Sequence, residues 1–407
     1  MKKISDLLKK VSDQLRPTIT KIPEVADFIT KINASIKKNR IKAITIPGGS
    51  YAKQTFLKED HDIDIFIAFD LQYKDQDISS LLRTILKPFN AVLIHGSRDY
   101  YQIRGKYYFE IIPVLAIKKP SDAKNVTDFS LKHVAWVNTN GKKLKDDIRL
   151  AKKFCKTARI YGAESYISGF SGHVLDILVI FYGGFLPLLK ASLSWKPQKV
   201  IDYNNRHKGR ALFHLNKSKT QSGLIVIDPV QPDRNAAAAL STENMMKFQE
   251  TAKSFLKRPS KEFFEEKKID MKELRRKGAV VVTGQTLEGK RDVVGAKAVK
   301  VFEHIKKTID GEFGIKDAGW IWDGEFIMWF IPKKKMLSEY QEHAGPPVDK
   351  EKFAEMFRKK YKNAMLKKGR WVAQVKRRHT EILPFTREIV MPPYVKERLK
   401  KIRIRHA

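Results

Sequence analysis

Residues 47–69 read PGGSYAKQTFLKEDHDIDIFIAF, and the rest of the chain is interpreted outward from them. Asp62 and Asp64 stand one residue apart in an apolar run of Ile63, Ile65, Phe66 and Ile67. Side chains alternate faces along a strand, so both carboxylates point to the same side. Upstream, Gly48, Gly49 and Ser50 make a small turn at which backbone can approach a phosphate closely and present N–H donors. Taken separately, Gly-Gly-Ser is an ordinary turn and Asp-x-Asp an ordinary solvated strand end. Two acids inside a hydrophobic strand are costly unless a positive charge compensates them, and a metal ion is the natural compensation. A phosphate cradle followed by paired carboxylates points to nucleotide chemistry with divalent metal ions.

The chain has 407 residues, enough for about two to four domains, and its 42% apolar content is that of a folded protein. Its formal net charge of +35 calls for a polyanionic partner. Nucleic acid is expected before a membrane, because no amphipathic anchor or lipidation signal accompanies the charge. The charge gathers at the end: residues 358–407 hold 17 Lys or Arg against 3 Asp or Glu, interleaved with Tyr361, Trp371, Phe385 and Tyr394. Such a run is commonly a solvated face, but mixing cations with aromatics suits RNA contact.

The single cysteine, Cys155, excludes an internal disulfide and a cysteine-based zinc site, and it fits a reducing, cytoplasmic setting. The N-terminus lacks the apolar core of a signal peptide and reads as an amphipathic helix. The longest apolar stretch, Val174 to Leu189, is interrupted by Asp176, Gly183, Gly184 and Pro187. It is too short and broken for a membrane span and reads as one buried core helix.

Periodicity predicts helices over residues 4–15, 23–36 and 78–86, and strands over 43–46, 91–94, 100–103 and 107–117, with a short helix starting near Tyr51 and a strand that carries Asp62 and Asp64. The run 107–117, YYFEIIPVLAI, holds one acid, Glu110, which on its own could equally be a strand-edge residue. From Asp146 to about Leu256 the chain is mainly helical. Residues 319–332, GWIWDGEFIMWFIP, read as a turn followed by an aromatic strand, residues 349–366 as a basic helix and 371–375 as a strand.

Gly-Ser, a spacer and Asp-x-Asp in an apolar strand resemble the signature of the polymerase β nucleotidyltransferase superfamily. The resemblance narrows downstream. RLAKKF (149–154), YGAE (161–164), GFSGHVLDIL (169–178) and DPVQPDRNAAA (228–238) are similar to the archaeal class I CCA-adding enzymes, the tRNA nucleotidyltransferases. The likeness is close over residues 20–265 and looser beyond, where Gly345, Pro346 and Pro347 resemble a C-terminal Gly-Pro-Pro of that family.

That resemblance implies an α+β, multi-domain nucleotidyltransferase: a mixed-sheet catalytic head (1–140), a helical neck (141–268), and an α/β body and tail (269–407) that binds tRNA at the acceptor stem and TΨC arm. It implies that Asp62, Asp64 and Glu110 hold two Mg²⁺ ions, and that CTP and ATP are the substrates. Gly49, Ser50, Lys53, His133, Lys152, Tyr161 and Arg234 take the positions of nucleotide-binding residues. In that loop, Arg234 and its neighbours Asp233 and Asn235 correspond to the family's base-selecting segment, an arginine offering planar donors to a base edge. On bare sequence, His133 reads as a packed helix residue, Lys152 as a surface lysine and Tyr161 as a core aromatic. Arg370, Lys376, Arg377 and Arg378 are the candidate RNA contacts of the basic end. Lys53 departs from the arginine usual at its position, and residues 97–110, SRDYYQIRGKYYFE, depart from a Glu-His-Pro-Tyr motif. The sequence leaves the oligomeric state open, a homodimer included.

A terminal nucleotidyltransferase of different base choice, and a catalytically silent RNA-binding protein, are the competing readings. Neutralising the basic residues from Arg358 onward is expected to weaken tRNA binding and flatten its salt dependence, with nucleotide binding retained. Filter binding across a salt series measures this, and an unchanged slope counts against an RNA contact there.

Overall fold

The computed structural model describes residues 2–18, 22–60, 62–266 and 269–406. It divides into two compact units, residues 1–267 and 268–407.

The first unit begins with α1 (Lys2–Leu15), α2 (Pro23–Lys38), β1 (Ala43–Pro47), α3 (Gly49–Lys53), β2 (Asp62–Phe69), α4 (Ile78–Leu86), β3 (Val92–Ile94), β4 (Tyr100–Arg104) and β5 (Tyr108–Leu115). The strands form one mixed sheet in the order β1-β2-β5-β4-β3. The central pair β2 and β5 is parallel, and the other pairs are antiparallel. Alternation along β2 sorts its residues. Ile63, Ile65, Ile67 and Phe69 join the core made with Val25, Phe28 and Ile32 of α2 and Leu82 and Ile85 of α4. Phe66 and Ala68 pack with Val114 in a separate cluster on the opposite face. Asp62 and Asp64 belong to that second set, so the period of two places both acids away from the α2/α4 layer.

The mainly helical remainder comprises α5 (Ser130–Asn140), α6 (Lys145–Thr157), α7 (Gly172–Tyr182), α8 (Phe185–Ser192), β6 (Lys199–Ile201), α9 (Ala211–His214), β7 (Leu224–Val226) and α10 (Thr242–Lys257). Its core centres on Phe154, whose ring centroid lies 5.5–6.2 Å from those of Phe185, Phe248, Phe255, Phe263 and Phe264. The single core helix expected over 174–189 is two helices bent by 92°. Gly183 and Gly184, at φ +77° and +144°, take backbone conformations that other residues resist. The second helix then starts with the Phe185 N–H donating to Asp147 Oδ1 at 2.8 Å. Among the described residues no single helix is long and apolar enough to cross a membrane.

The second unit contains α11 (Met271–Arg276), β8 (Val280–Thr286), α12 (Arg291–Phe313), β9 (Ile315–Asp323), β10 (Glu325–Pro332), β11 (Tyr340–Pro347), α13 (Glu351–Lys360), β12 (Met365–Lys367), β13 (Arg370–Lys376), α14 (Ile382–Ile389), α15 (Pro393–Lys396) and β14 (Leu399–His406). One sheet runs β14-β8-β10-β9 and another β11-β13-β12. The apolar face of α12, through Ala298, Val301, Phe302 and Ile305, packs with Val280, Val282, Phe326, Met328 and Phe330 of the first sheet. Residues 319–332 are not a turn and a strand but a hairpin. Gly319 lies within β9, where a Cβ would come 2.3 Å from the Trp329 ring, and the turn is at Gly324. The basic helix also stops at Lys360, and residues 365–367 pair with β13 instead.

Phe154→Ala removes the hub of five aromatic contacts from a fully buried position. It is expected to cost about 3–5 kcal/mol of stability, measurable by denaturant unfolding.

Candidate active site

The Gly-Gly-Ser turn lies directly on β2. The Gly48 N–H donates to the Asp64 carbonyl at 2.8 Å. Gly49 has φ +50°, and a Cβ there would stand 1.6 Å from Asp64 Oδ2. Glycine is therefore required twice at residue 49, by the backbone and by the carboxylate it touches. Ser50 follows in α3.

Parallel pairing sets Asp64 directly beside Glu110. Asp62 is exposed one step further along the strand. The Asp64 carboxyl is pushed up to about 6 by burial, then by the negative charge of Glu110 and Asp62, with Lys53 and Lys152 pulling the other way. Glu110 is raised too, by burial and by Asp62, while the amide of Gln102 opposes the rise. Gln102 Nε2 donates to Glu110 Oε1 at 2.8 Å from β4. The 97–110 segment that departs from the family pattern thus supplies the partner of the third carboxylate. Another of its residues, Arg98, is ion-paired with buried Asp128. An all-oxygen set of neighbouring acids whose charges disfavour one another fits a hard divalent cation.

A second layer is cationic. Lys53 is buried, with its ammonium 2.8 Å from Asp176 Oδ2. Lys152 is buried as well and donates to Thr55 Oγ1 at 2.9 Å and to the Thr55 carbonyl at 3.1 Å. Burial lowers it to about 8, against the pull of Asp176. Two further lysines of α6 hold the same loop: Lys153 pairs with Glu59, and Lys156 is 2.6 Å from Asp60. These bonds tie the segment leading into β2 onto α6. Tyr161 reaches the start of α7, where a Cβ at Gly172 would lie 3.0 Å from its hydroxyl and 3.7 Å from Lys152 Cε. Its phenol is raised by burial and by Asp60 and Asp176.

The third layer converges on Asp228, which is fully buried. His133 Nε2 lies 3.1 and 2.9 Å from its two carboxylate oxygens, and Arg234 Nη1 donates to Oδ2 at 3.0 Å. His173 Nε2 is 3.4 Å from the same oxygen, and the two imidazole rings are 4.3 Å apart. Burial works against ionising Asp228, but the bond from His133 and the close imidazole of His173 hold its carboxyl well below the usual range. Burial pushes His173 down to about 4. The potential donor atoms of His133, His173 and Asp228 lie within 4.8 Å of one another, a set suited to a borderline metal ion. The guanidinium of Arg234 already bonds the shared carboxylate, so the cluster is a hydrogen-bonded hub in this structure.

Comparison with known proteins bears on this arrangement. A family model described as "tRNA nucleotidyltransferase, second domain" matches residues 146–265, and one described as "CCA-adding enzyme, C-terminal domain" matches residues 280–392. A CCA-adding enzyme of Nanoarchaeum equitans is 35% identical over 364 residues, covering 86% of this chain and 85% of its own. The chain belongs to the CCA-adding enzyme family.

It is accordingly a nucleotidyltransferase that adds CCA to tRNA, a class that uses nucleotides and divalent metal ions. A further relative from Methanocaldococcus jannaschii is 28% identical, covering 98% of this chain and 95% of its own. Among solved structures, a cytoplasmic RNA terminal U-transferase has a TM-score of 0.51 at 13% identity, covering 66% of this chain and 100% of its own. The Cid1 poly(U) polymerase bound to Mg and 3′-dATP also scores 0.51 at 13% identity, covering 65% of this chain and 99% of its own. At such identity the likeness is one of fold.

The candidate residues fall into four places. Asp62, Asp64, Glu110, Gly49 and Ser50 lie on the β1–β2–β5 part of the sheet and its turn. Lys53, Lys152 and Tyr161 gather by the start of α7, and His133 and Arg234 meet at Asp228. The four tail residues are in the second unit. There Lys376 is 2.9 Å from Glu339, Arg377 is bonded to Glu312, Arg378 to Glu388, and Arg370 is exposed. Asn235 is a strut of its loop: its Oδ1 accepts from the N–H groups of Val226 and Ala237, both at 2.9 Å. Asp176, His173 and Asp228 lie in the quoted motifs, and Asp176 in the apolar run, but the sequence reading gives none of them a role in the site. An acid and a histidine inside the apolar helix GHVLDILVIFY were the available signal, since a buried polar group needs a partner.

Gly49→Ala is expected to abolish activity by displacing Asp64, with the fold retained. Asp64→Asn is expected to inactivate the enzyme while stabilising the metal-free protein by about 1–3 kcal/mol at pH 7.5. A carboxyl raised by folding penalises the native state where it is ionised, above pH about 6. The stabilisation therefore fades as pH falls through that value toward 4. Thermal unfolding in chelator at pH 5 and 7.5 checks the sign.

Proposed function

We propose that the chain extends the 3′ end of tRNA by C, C and A in sequence, using CTP and ATP without a nucleic-acid template. Asp62, Asp64 and Glu110 would hold two Mg²⁺ ions. The pairing of Asp64 with Glu110 across parallel strands, with both carboxyls raised, is the observation that carries this assignment. In the reaction the terminal 3′-hydroxyl attacks the α-phosphorus of the incoming nucleotide, an O–P bond forms, and the bond to pyrophosphate breaks. Bound ions at such a site lower the pKa of the attacking hydroxyl and neutralise charge on the departing pyrophosphate.

The protein's own contribution is positioning and charge. The Gly48–Gly49 backbone lies against Asp64, and with Ser50, the next residue of the turn, it can receive a phosphate beside the carboxylates. Lys152 and Tyr161 line the approach to the start of α7, suited to the triphosphate. Lys53 lies behind them with its ammonium on Asp176, contributing positive potential and holding α3 against α7. Arg234 keeps part of its planar fork exposed, as reading a base edge requires. Within this reading, residues 1–140 are the catalytic head, 141–268 the neck that completes the nucleotide pocket, and 269–407 the body and tail. The basic second unit would receive the acceptor stem and TΨC arm by shape and phosphate contact. A cytoplasmic location suits such an enzyme.

The test supplies tRNA lacking its CCA end with Mg²⁺ and all four nucleoside triphosphates, then sequences the products. Addition of CCA is expected; runs of A alone, or indiscriminate incorporation, overturn the proposal. Asp62→Ala and Asp64→Ala should each lower incorporation by about 10²-fold or more, with tRNA binding retained.

A further inference from the structure

We infer that Asp228 is a positioning residue for nucleotide selection: its carboxylate clamps Arg234 against a two-histidine wall and so fixes the plane in which the guanidinium meets a base. The inference rests on Arg234 being the base reader, as proposed above.

The geometry that carries it is a closed loop with one buried anchor. Residues 228–234 are tied at both ends by main chain, the Asp228 N–H donating to the Arg234 carbonyl at 3.0 Å and the Arg234 N–H to the Gln231 carbonyl at 2.9 Å. The Asp228 side chain then crosses the same loop. Its Oδ1 accepts the N–H groups of Val230 at 2.9 Å and Gln231 at 3.2 Å, which set the turn. Its Oδ2 is left for Arg234, His133 and His173. One carboxylate thus divides its work between building the loop and holding the arginine.

An arginine side chain carries several rotatable bonds, and its direction is poorly defined when it is free in solvent. Here one nitrogen is fixed to a carboxylate that has no exposure, while 37% of the Arg234 side-chain surface remains accessible. The guanidinium is planar, so fixing one bond restricts the directions of its remaining donors. His133 and His173 also lie at Oδ2, 2.9 and 3.4 Å away, with ring centroids 4.3 Å apart and both residues at most 16% exposed in their side chains. They prevent the carboxylate from rotating toward another partner. Discrimination between bases that differ in donor and acceptor pattern depends on such fixed direction, because a mobile donor can satisfy a wrong edge as well as a right one.

Asp228→Asn separates the two tasks. The amide oxygen still accepts from Val230 and Gln231, so the loop is kept, but the NH₂ now faces Arg234 and cannot accept its bond. Single-nucleotide incorporation with CTP, ATP, UTP and GTP is measured for wild type, Asp228→Asn, Arg234→Ala and the double variant. In Asp228→Asn the preference for CTP over UTP, as a ratio of kcat/KM values, is expected to fall by about tenfold or more. The KM for CTP should rise more than kcat falls. In the double variant the Asp228 change should alter the ratio less than about twofold beyond Arg234→Ala alone, as for residues acting as one unit. A folded Asp228→Asn with unchanged ratio, alongside an Arg234→Ala that loses it, overturns the inference and leaves the reader assignment standing. An unchanged ratio in Arg234→Ala overturns the reader assignment itself. Should Asp228→Asn not fold, side-chain NMR of the wild-type protein decides: slowed rotation about the Arg234 Nε–Cζ bond is expected, and free rotation overturns the clamp.

Discussion

Parallel pairing of β2 with β5 is the constraint on which this enzyme depends. It holds Asp64 and Glu110 side by side on one face of a sheet, with Asp62 a step away, in surroundings where burial alone already disfavours charge. A pair of like charges at that spacing is unfavourable for the folded protein and favourable for a cation that binds there. The glycine turn belongs to the same device: Gly49 lets the turn's backbone touch Asp64 without a side chain between them.

The rest of the first unit can be described as layers of charge around that pair. Behind the turn lie Lys53 and Lys152, buried and answered by Asp176 and Thr55. Lysine rather than arginine at residue 53 leaves a visible trace. A single ammonium bonds one oxygen of Asp176, and Oδ1 of that wholly buried carboxylate has no hydrogen-bond partner among the described residues. A guanidinium fork could serve both oxygens, which gives the departure from the family's usual residue a physical meaning. Further out, α6 uses Lys152, Lys153 and Lys156 to hold the loop that delivers β2, so a helix far along the chain helps to place the strand that carries Asp62 and Asp64.

The Arg234 side of the site is organised differently, around one anion rather than a pair. Asp228 gathers His133, His173 and Arg234, residues from three separate stretches of chain, and also shapes its own loop through two backbone N–H groups. The neighbouring acids Asp64 and Glu110 disfavour one another's charge, whereas Asp228 is already answered by hydrogen bonds. On the proposed function, the two arrangements suit electrostatic stabilisation and specificity respectively.

The sequence was enough for the shared side of Asp62 and Asp64, the helix over 78–86 and the mainly helical stretch from residue 146, through short-range periodicity, and for the family, with the mixed sheet that the family implies, through contiguous motifs. It misjudged elements where local pattern was ambiguous. The apolar run 174–189 carries no period that shows its break, which Gly183 and Gly184 impose; the aromatic run 319–332 conceals a second strand beside the one expected. Tertiary structure alone decided the partners of the charged groups. Lys53 with Asp176 spans 123 positions, and His133 with Asp228 spans 95. Neither pairing leaves a periodic trace, since a buried charge is compensated by whichever residue the fold brings near it and not by its neighbours in sequence.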